Sequence, residues 1–317
     1  MKKTFLPIAI AAVGLSALAL AGCSKKTPVA RVEIEPRSVR LPFSQLQTVH
    51  LTWTPSAALG DESPTVFVHL LDGKKKVART FDHPFPRKWR EGTPASYDLK
   101  VFQSALAPPL PPGRYQVTLG LYGKNGDRWP LDGLGEPVAR NEYNAFEVEV
   151  PAQQGKTRLA FSPGWMEPEA GGDRQVLARR WLVDRAAVRL VNQKGPGTVW
   201  MVIQIPPLNV PDYKLALSPG ATAPSVMAVA NCGGTEANLT GPGIHEVEMA
   251  LDAPPADGFC RVILSANFQL EPKTAAGSKR SVSLENIAWV PAGGAGGGKR
   301  ARKEQSAQET SSPTAPQ

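Results

Sequence analysis

Between Gln47 and Trp53 the chain alternates strictly, with Val49, Leu51 and Trp53 falling on one face and polar residues on the other. That period of two constrains the fold more than any other feature, because it returns along most of the chain and long helical periodicity does not. Val66 to Leu71 is almost continuously apolar and reads as a central strand. Tyr115 to Tyr122 alternates again, entered through the turn Leu110-Pro111-Pro112-Gly113, and a last strand of this first unit runs from Ala145 to Val150. A second series follows, with strands predicted near 157–161, 186–191, 198–205, 213–217, 225–230, 245–251, 259–266 and 282–290. Pro206-Pro207, Asn209-Val210-Pro211, Gly241-Pro242-Gly243 and Pro254-Pro255 punctuate it. With 31 prolines and 29 glycines the chain has the turn chemistry that many short strands require. The pattern predicts an all-β protein of two antiparallel β-sandwich domains in tandem, immunoglobulin-like or jelly-roll-like. Asp173 to Asp184 carries the one helix-like run.

The sandwiches are bracketed by segments of different composition. Lys2 and Lys3 precede an apolar stretch from Phe5 to Leu20, which closes in Leu20-Ala21-Gly22-Cys23 and turns polar at Ser24-Lys25-Lys26. An apolar core of about 15 residues is short of the roughly 20 that span a bilayer. This order of charge, apolar core and small residues before a cysteine resembles the signal peptide of bacterial lipoproteins. The resemblance implies removal of residues 1–22 and a diacylglycerol on Cys23, so that the membrane is a partner through that lipid. Ser24 at the next position implies the outer membrane, facing the periplasm, in a Gram-negative host. Residues 23–30 then form a lipidated tether, 31–150 the first sandwich, 151–156 a linker (Pro151-Ala152-Gln153-Gln154-Gly155-Lys156) and 157–291 the second. Residues 292–317, rich in Gly, Lys, Arg, Gln, Ser and Thr and without aromatics, are predicted to be a disordered tail. Gly293 to Lys299 fits the spacing of a phosphate-binding loop, but Arg300 stands where Ser or Thr is required and no helix pattern follows.

Charge and cysteines narrow the function. The formal charge of +8 includes Lys2 and Lys3, so cleavage leaves +6. No basic stripe interleaved with aromatics is present, which argues against nucleic acid as a partner. Lys25, Lys26 and Lys74-Lys75-Lys76 are solvated surface and turn, or a site for anionic lipid or acidic polysaccharide. With Cys23 taken by lipid, Cys232 and Cys260 remain, either bonded across a loop of 28 residues or as separate buried thiols. A bond there is worth on the order of 3 kcal/mol in the chain-entropy model, and an oxidising compartment favours it. No Cys/His ligand spacing, nucleophile elbow or zinc-protease motif occurs, so the expectation is a protein without metal, cofactor or catalytic residues.

Two series of residues carry a wider resemblance. The first is Val66-Phe67-Val68-His69-Leu70-Leu71-Asp72-Gly73, Asp82 with Pro84, Trp89 with Gly92, Leu110-Pro111-Pro112-Gly113-Arg114-Tyr115 and Gly120-Leu121-Tyr122. The second is Gly164-Trp165, Glu169, Arg180-Trp181 and the closing Ile287-Ala288-Trp289. Together they resemble the β-sandwich modules appended to bacterial membrane glycosyltransferases of the mannosyltransferase-like class and to related envelope proteins. Ser278-Lys279-Arg280 stands where that group has an Asp-x-Arg pair. The membrane part of those enzymes has no counterpart here, so the resemblance implies an accessory, non-enzymatic role: an envelope module that binds polysaccharide or serves as a scaffold. A structural or protein-partner subunit of an envelope complex is the alternative, and an envelope-acting hydrolase the third reading.

Individual residues divide between fold and function. Pro112-Gly113-Arg114-Tyr115 has the form of a tyrosine corner. His69 is a core histidine that Asp82 is placed to satisfy. Trp165, Glu169, Arg180 and Trp181 are the candidate glycan-binding residues, because aromatic rings cover the C–H faces of sugars while carboxylate and guanidinium groups bind hydroxyls. The competing reading puts both tryptophans in the core and pairs Glu169 with Arg180. Trp89 and Trp129, in Pro/Arg-rich loops, are secondary candidates.

Overall fold

The computed structural model describes residues 27–59, 63–152, 157–171, 176–256, 258–275 and 277–292. Cys23 with the signal peptide, the tether up to residue 26, linker residues 153–156 and tail residues 293–317 lie outside the described residues. Among the described residues all regular secondary structure is β-strand, and no helix is long and apolar enough to cross a membrane.

Residues 30–150 form two facing sheets. One has the order β10 (Leu131–Asp132), β1 (Ala30–Glu35), β3 (Leu46–Pro55), β7 (Ala95–Phe102). The other runs β11 (Pro137–Ala139), β12 (Glu142–Val150), β8 (Gly113–Tyr122), β4 (Thr65–Leu71), β5 (Val77–Thr80). On its flanks β2 (Ser38–Arg40) pairs β12, β6 (His83–Pro84) pairs β4, and β9 (Arg128–Trp129) pairs β8. Pairing is antiparallel except for the short β1–β10 and β2–β12 ladders. Alternation explains the core: Val49, Leu51 and Trp53 of β3 face Val66, Val68 and Leu70 of β4 and Val117, Leu119 and Leu121 of β8. On its other face Phe67 and Leu71 are buried as well, which is why the strand is almost continuously apolar. Phe67 lies under Tyr122 and the Arg128 guanidinium on the outer face. Gly120 is obligatory there, since a Cβ would sit 2.0 Å from the Phe67 ring. The tyrosine corner is present: Tyr115 Oη donates to the Pro111 carbonyl at 2.8 Å.

Residues 158–291 form the second sandwich. One sheet is ordered β13 (Arg158–Phe161), β16 (Arg185–Val191), β22 (Arg261–Ala266), β19 (Ser225–Ala230), β20 (Glu236–Thr240). The facing sheet is β14 (Glu169–Ala170), β15 (Ala178–Trp181), β24 (Ser283–Pro291), β17 (Gly197–Ile205), β21 (Gly243–Leu251). A ribbon of β18 (Tyr213–Leu217) and β23 (Phe268–Pro272) closes one side. Cys232 and Cys260 are disulfide-bonded at the edge of this core, with Cα atoms 5.5 Å apart. The helix-like run predicted over 173–184 begins outside the described residues, and from residue 176 on it is not a helix. Ala178–Trp181 is a strand because its backbone is recruited by β24, with Arg180 opposite Leu284 and Trp181 opposite Ser283.

The sandwiches do not hang freely on their linker. Ser104 to Ala107 runs beside β24, with Ala105 N donating to the Ile287 carbonyl at 2.9 Å, and Leu106 inserts into the second core. Trp289 N donates to the Ser44 carbonyl, and Leu46 with Phe102 packs on Trp200 and Ala288 across the junction. Lys100 bonds Glu246 and Glu248 beside it.

Candidate functional site

The second sandwich gathers a polar and aromatic cluster where β14, β15 and the β18–β23 ribbon meet. The β14–β15 hairpin sets Glu169 opposite Arg179, which places the Glu169 carboxylate beside Trp181. The indole Nε1 donates to Glu169 Oε1 at 2.6 Å. Arg280 is brought in by its backbone pairing to Leu270 of β23, just ahead of β24. Its guanidinium lies 4.9 Å from the Trp181 ring centre and 5.0 Å from that of Tyr213, held between two aromatic faces. Each such contact is worth about 0.5–2 kcal/mol. Arg280 Nη1 stands 3.9 Å from Glu169 Oε2, too far for a direct hydrogen bond. A single ligand hydroxyl can bond both groups across that gap. The Glu169 side chain is 46% exposed, so the carboxylate opens to solvent.

Two of the four nominated residues do not belong to this cluster. Trp165 is a core residue: it is buried, paired with Leu182 and bonded through Nε1 to the Ala187 carbonyl at 3.2 Å. Arg180 is adjacent to Trp181 on a strand, and consecutive strand residues point to opposite faces. Its guanidinium accordingly lies over Phe161 at 4.6 Å, donates to the Met166 carbonyl and stands 3.8 Å from Glu167. Neither the Glu169–Arg180 pairing nor a double-tryptophan platform forms. Arg280 and Tyr213 were not nominated. No local signal marks them, since they meet Trp181 only through the pairing of β18 with β23 and of Arg280 with Leu270.

The remaining candidates are structural. His69 Nδ1 is 3.1 Å from Glu142 Oε1, whereas Asp82 Oδ1 is 3.9 Å from Nε2 and accepts from Val68 N at 2.9 Å. The histidine's principal partner is therefore Glu142, from β12, which also accepts from Thr118 Oγ1 at 2.7 Å and Arg128 at 2.9 Å. Burial pushes the Glu142 carboxyl up, and the bonds from Thr118, His69 and Arg128 outweigh it, leaving the group below the ordinary carboxylate range. Trp89 is buried against Trp53 and Phe85 and donates to the Ala57 carbonyl. Trp129 packs at the edge of the first core. Lys74 to Lys76 is a turn organised by Asp72, whose carboxylate accepts from the amides of Lys74 and Lys76. Among the described residues no group of three or more His, Cys, Asp or Glu side chains is placed to hold a metal ion.

No protein-family model and no curated protein matches the chain. Among solved structures it is similar to native E. coli alpha-2-macroglobulin, at 12% identity and a TM-score of 0.24 over 83% of this chain and 14% of that one. A mutant of Salmonella alpha-2-macroglobulin aligns at 12% identity and a TM-score of 0.21, over 88% and 16% of the two chains. A chaperone–tip adhesin complex of CFA/I fimbriae aligns at 10% identity and a TM-score of 0.19, over 79% and 76%. The chain spans less than a fifth of the macroglobulins' length. At these TM-scores too little backbone superposes for any role to carry over.

Proposed function

We propose that the protein is a lipid-anchored, non-enzymatic module of the bacterial envelope that binds glycan at the Glu169–Trp181–Arg280–Tyr213 cluster. One observation carries the reading. An exposed carboxylate, bonded to the edge of the Trp181 indole, stands 3.9 Å from a guanidinium held between the faces of Trp181 and Tyr213, at the rim of the second sandwich. Rims of this kind display binding groups without moving the scaffold. The Cys232–Cys260 bond supports an oxidising compartment, which suits the periplasmic side of an envelope. The tripartite sequence ending in Cys23 supports the anchor.

A glycan array probed with residues 27–291 tests the binding role. Retention of an envelope-type glycan that Trp181→Ala abolishes is the expected result; an array without any binding removes it. Mass spectrometry of the N-terminal peptide from native membranes tests the anchor, with a diacylglyceryl Cys23 expected and an unmodified or uncleaved terminus against it. A scaffold role within a protein complex is the second reading. The junction that fixes the two sandwiches to each other favours it, since a fixed geometry is what a spacer requires. Crosslinking in cells that captures one defined envelope protein, without glycan binding, would select it.

A further inference from the structure

The described chain starts at one end of the first sandwich, and that end is chemically distinct. The described chain begins at Thr27, and Cys23 is four residues away, at most about 14 Å of extended backbone. Pro28 and Val29 are fixed: Ser56 Oγ donates to the Pro28 carbonyl at 2.7 Å and Val29 N to the Pro130 carbonyl at 2.9 Å. The tether therefore leaves beside the end of β3, the start of β4, the segment between β6 and β7, and the turn between β8 and β9. Register confirms the shared end, with Ala30 opposite Pro55, Trp53 opposite Ala95, and Thr65 opposite both Pro84 and Tyr122.

The segment from Pro84 to Thr93 is tied to the first core. Phe85 and Trp89 are buried against Trp53, and Gly92 N bonds the Pro55 carbonyl. With those side chains turned inward, Arg87, Lys88 and Arg90 are left exposed, and Lys124 is exposed on the neighbouring turn. None of the four forms a salt bridge among the described residues. Glu91 and Asp127 are the acidic residues of the same two loops, and the sequence between β3 and β4 adds Asp61 and Glu62, which lie outside the described residues. Lys74 to Lys76 sits at the other end of β4, which at about 3.3 Å per residue lies roughly 23 Å away. That is more than two Debye lengths at 0.1 M salt, where one is about 10 Å.

Resting on the anchored reading, we infer that Arg87, Lys88, Arg90 and Lys124 form a contact surface for anionic lipid headgroups. The surface holds the first sandwich end-on to the bilayer and points the second sandwich's glycan cluster by way of the fixed junction. The anchor brings the patch to the lipid, and the patch removes the rotational freedom that a short tether leaves. A basic side chain near an anionic surface is worth roughly fivefold in affinity, so three together are worth roughly a hundredfold.

The test is co-sedimentation of the chain from Ser24 to Gln317 with vesicles of 30% phosphatidylglycerol in phosphatidylcholine at 0.1 M salt. Omitting the lipid makes the result independent of whether Cys23 is modified, which mass spectrometry decides separately. Arg87→Glu/Lys88→Glu/Arg90→Glu is expected to lower partitioning by about a hundredfold or more. The charge-matched control Lys74→Glu/Lys75→Glu/Lys76→Glu is expected to change it by less than fivefold, and 0.5 M salt to abolish binding by the parent. The triple Gln variant at 87, 88 and 90 guards against misfolding of the reversed one, and both must retain the parent's melting profile. Equal losses from the two ends, undiminished binding by the Gln variant, or capture by a soluble acidic polysaccharide without vesicle binding would each overturn the assignment.

Discussion

Replacing both Cys232 and Cys260 by alanine removes the cross-link from the second sandwich, and the structure sets the size of the loss. The bond closes a loop of 28 residues. The chain-entropy relation gives about 3.5 kcal/mol for that loop at 25 °C. Unfolding entropy near the midpoint is about 2.1 cal/mol/K per residue. If only the roughly 135 residues of the second sandwich unfold together, the midpoint should fall by about 12 °C; if all of the roughly 265 folded residues do, by about 6 °C. Leu106 and Ala105 pack against the second core while Trp200 and Ala288 pack on Leu46 and Phe102, so one shared transition and the smaller shift are expected. Differential scanning calorimetry reads both the shift and the number of transitions. Cys232→Ala alone should cost nearly as much as the double variant, because either change opens the loop and the effects are not additive. A midpoint within 2 °C of the parent, or single variants whose losses simply sum, would refute the reasoning.

Other consequences are as specific. Leu106→Ala deletes a side chain that belongs to the first half by sequence and to the second core by packing, and should cost about 2–5 kcal/mol. Hydrogen exchange should show the loss in β24 as well as in residues 104–107; loosening confined to 104–107 would contradict the junction. Tyr115→Phe should cost about 0.5–1.5 kcal/mol in urea denaturation, the worth of the corner's single bond to Pro111. Acid should destabilise the first sandwich in two stages. His83 donates through Nδ1 to the Phe81 carbonyl and accepts from Tyr97 Oη through Nε2, and burial holds it below its ordinary 6.5. The unfolded chain therefore takes up the proton first, and stability falls as pH drops from about 6.5 towards the folded value. Glu142 also sits below its ordinary value, so its contribution is complete above about 4.5 and lost at lower pH. Urea midpoints between pH 8 and 3 check both stages. His83→Gln should flatten the upper one, and an unchanged upper stage would argue against it.

The all-β fold was legible because burial on one face leaves a period of two in the sequence. Tyr213–Leu217 and Ser225–Ala230 stand where alternation puts them. Two-residue strands such as β9, β10 and β14 carry no period, and they exist because a neighbouring strand supplies the pairing. Tyr97, Leu99 and Val101 do alternate, so β7 was readable in principle. In β23 only Phe268 and Leu270 alternate with the polar Gln269 and Glu271, too short a run to stand out in the sequence. The site was half legible for a similar reason. Glu169 and Trp181 are joined by a local hairpin, which sequence proximity anticipates. Arg280 and Tyr213 arrive through pairings separated by long stretches of chain, and Arg180 is excluded by strand geometry despite being next to Trp181. Trp165 had the composition of a binding residue and the environment of a core one. The junction was least legible, because a contact between two outer sheet faces leaves only scattered residues such as Leu46, Phe102 and Trp200.

Glycan affinity at the Trp181 cluster tests the account most directly. With a glycan retained by the parent chain, titration calorimetry should show a loss of about tenfold for Trp181→Ala, since the change removes the indole that holds the Glu169 carboxylate and one of the two rings that hold Arg280, a contact worth about 0.5–2 kcal/mol. Arg280→Lys should weaken binding while preserving the fold, since lysine keeps the charge and loses the planar stack between Trp181 and Tyr213. Trp129→Ala, in the other sandwich, should leave the affinity unchanged. Equal affinity for the parent and the Trp181 variant, with both folded, would contradict the assignment of glycan binding to this cluster.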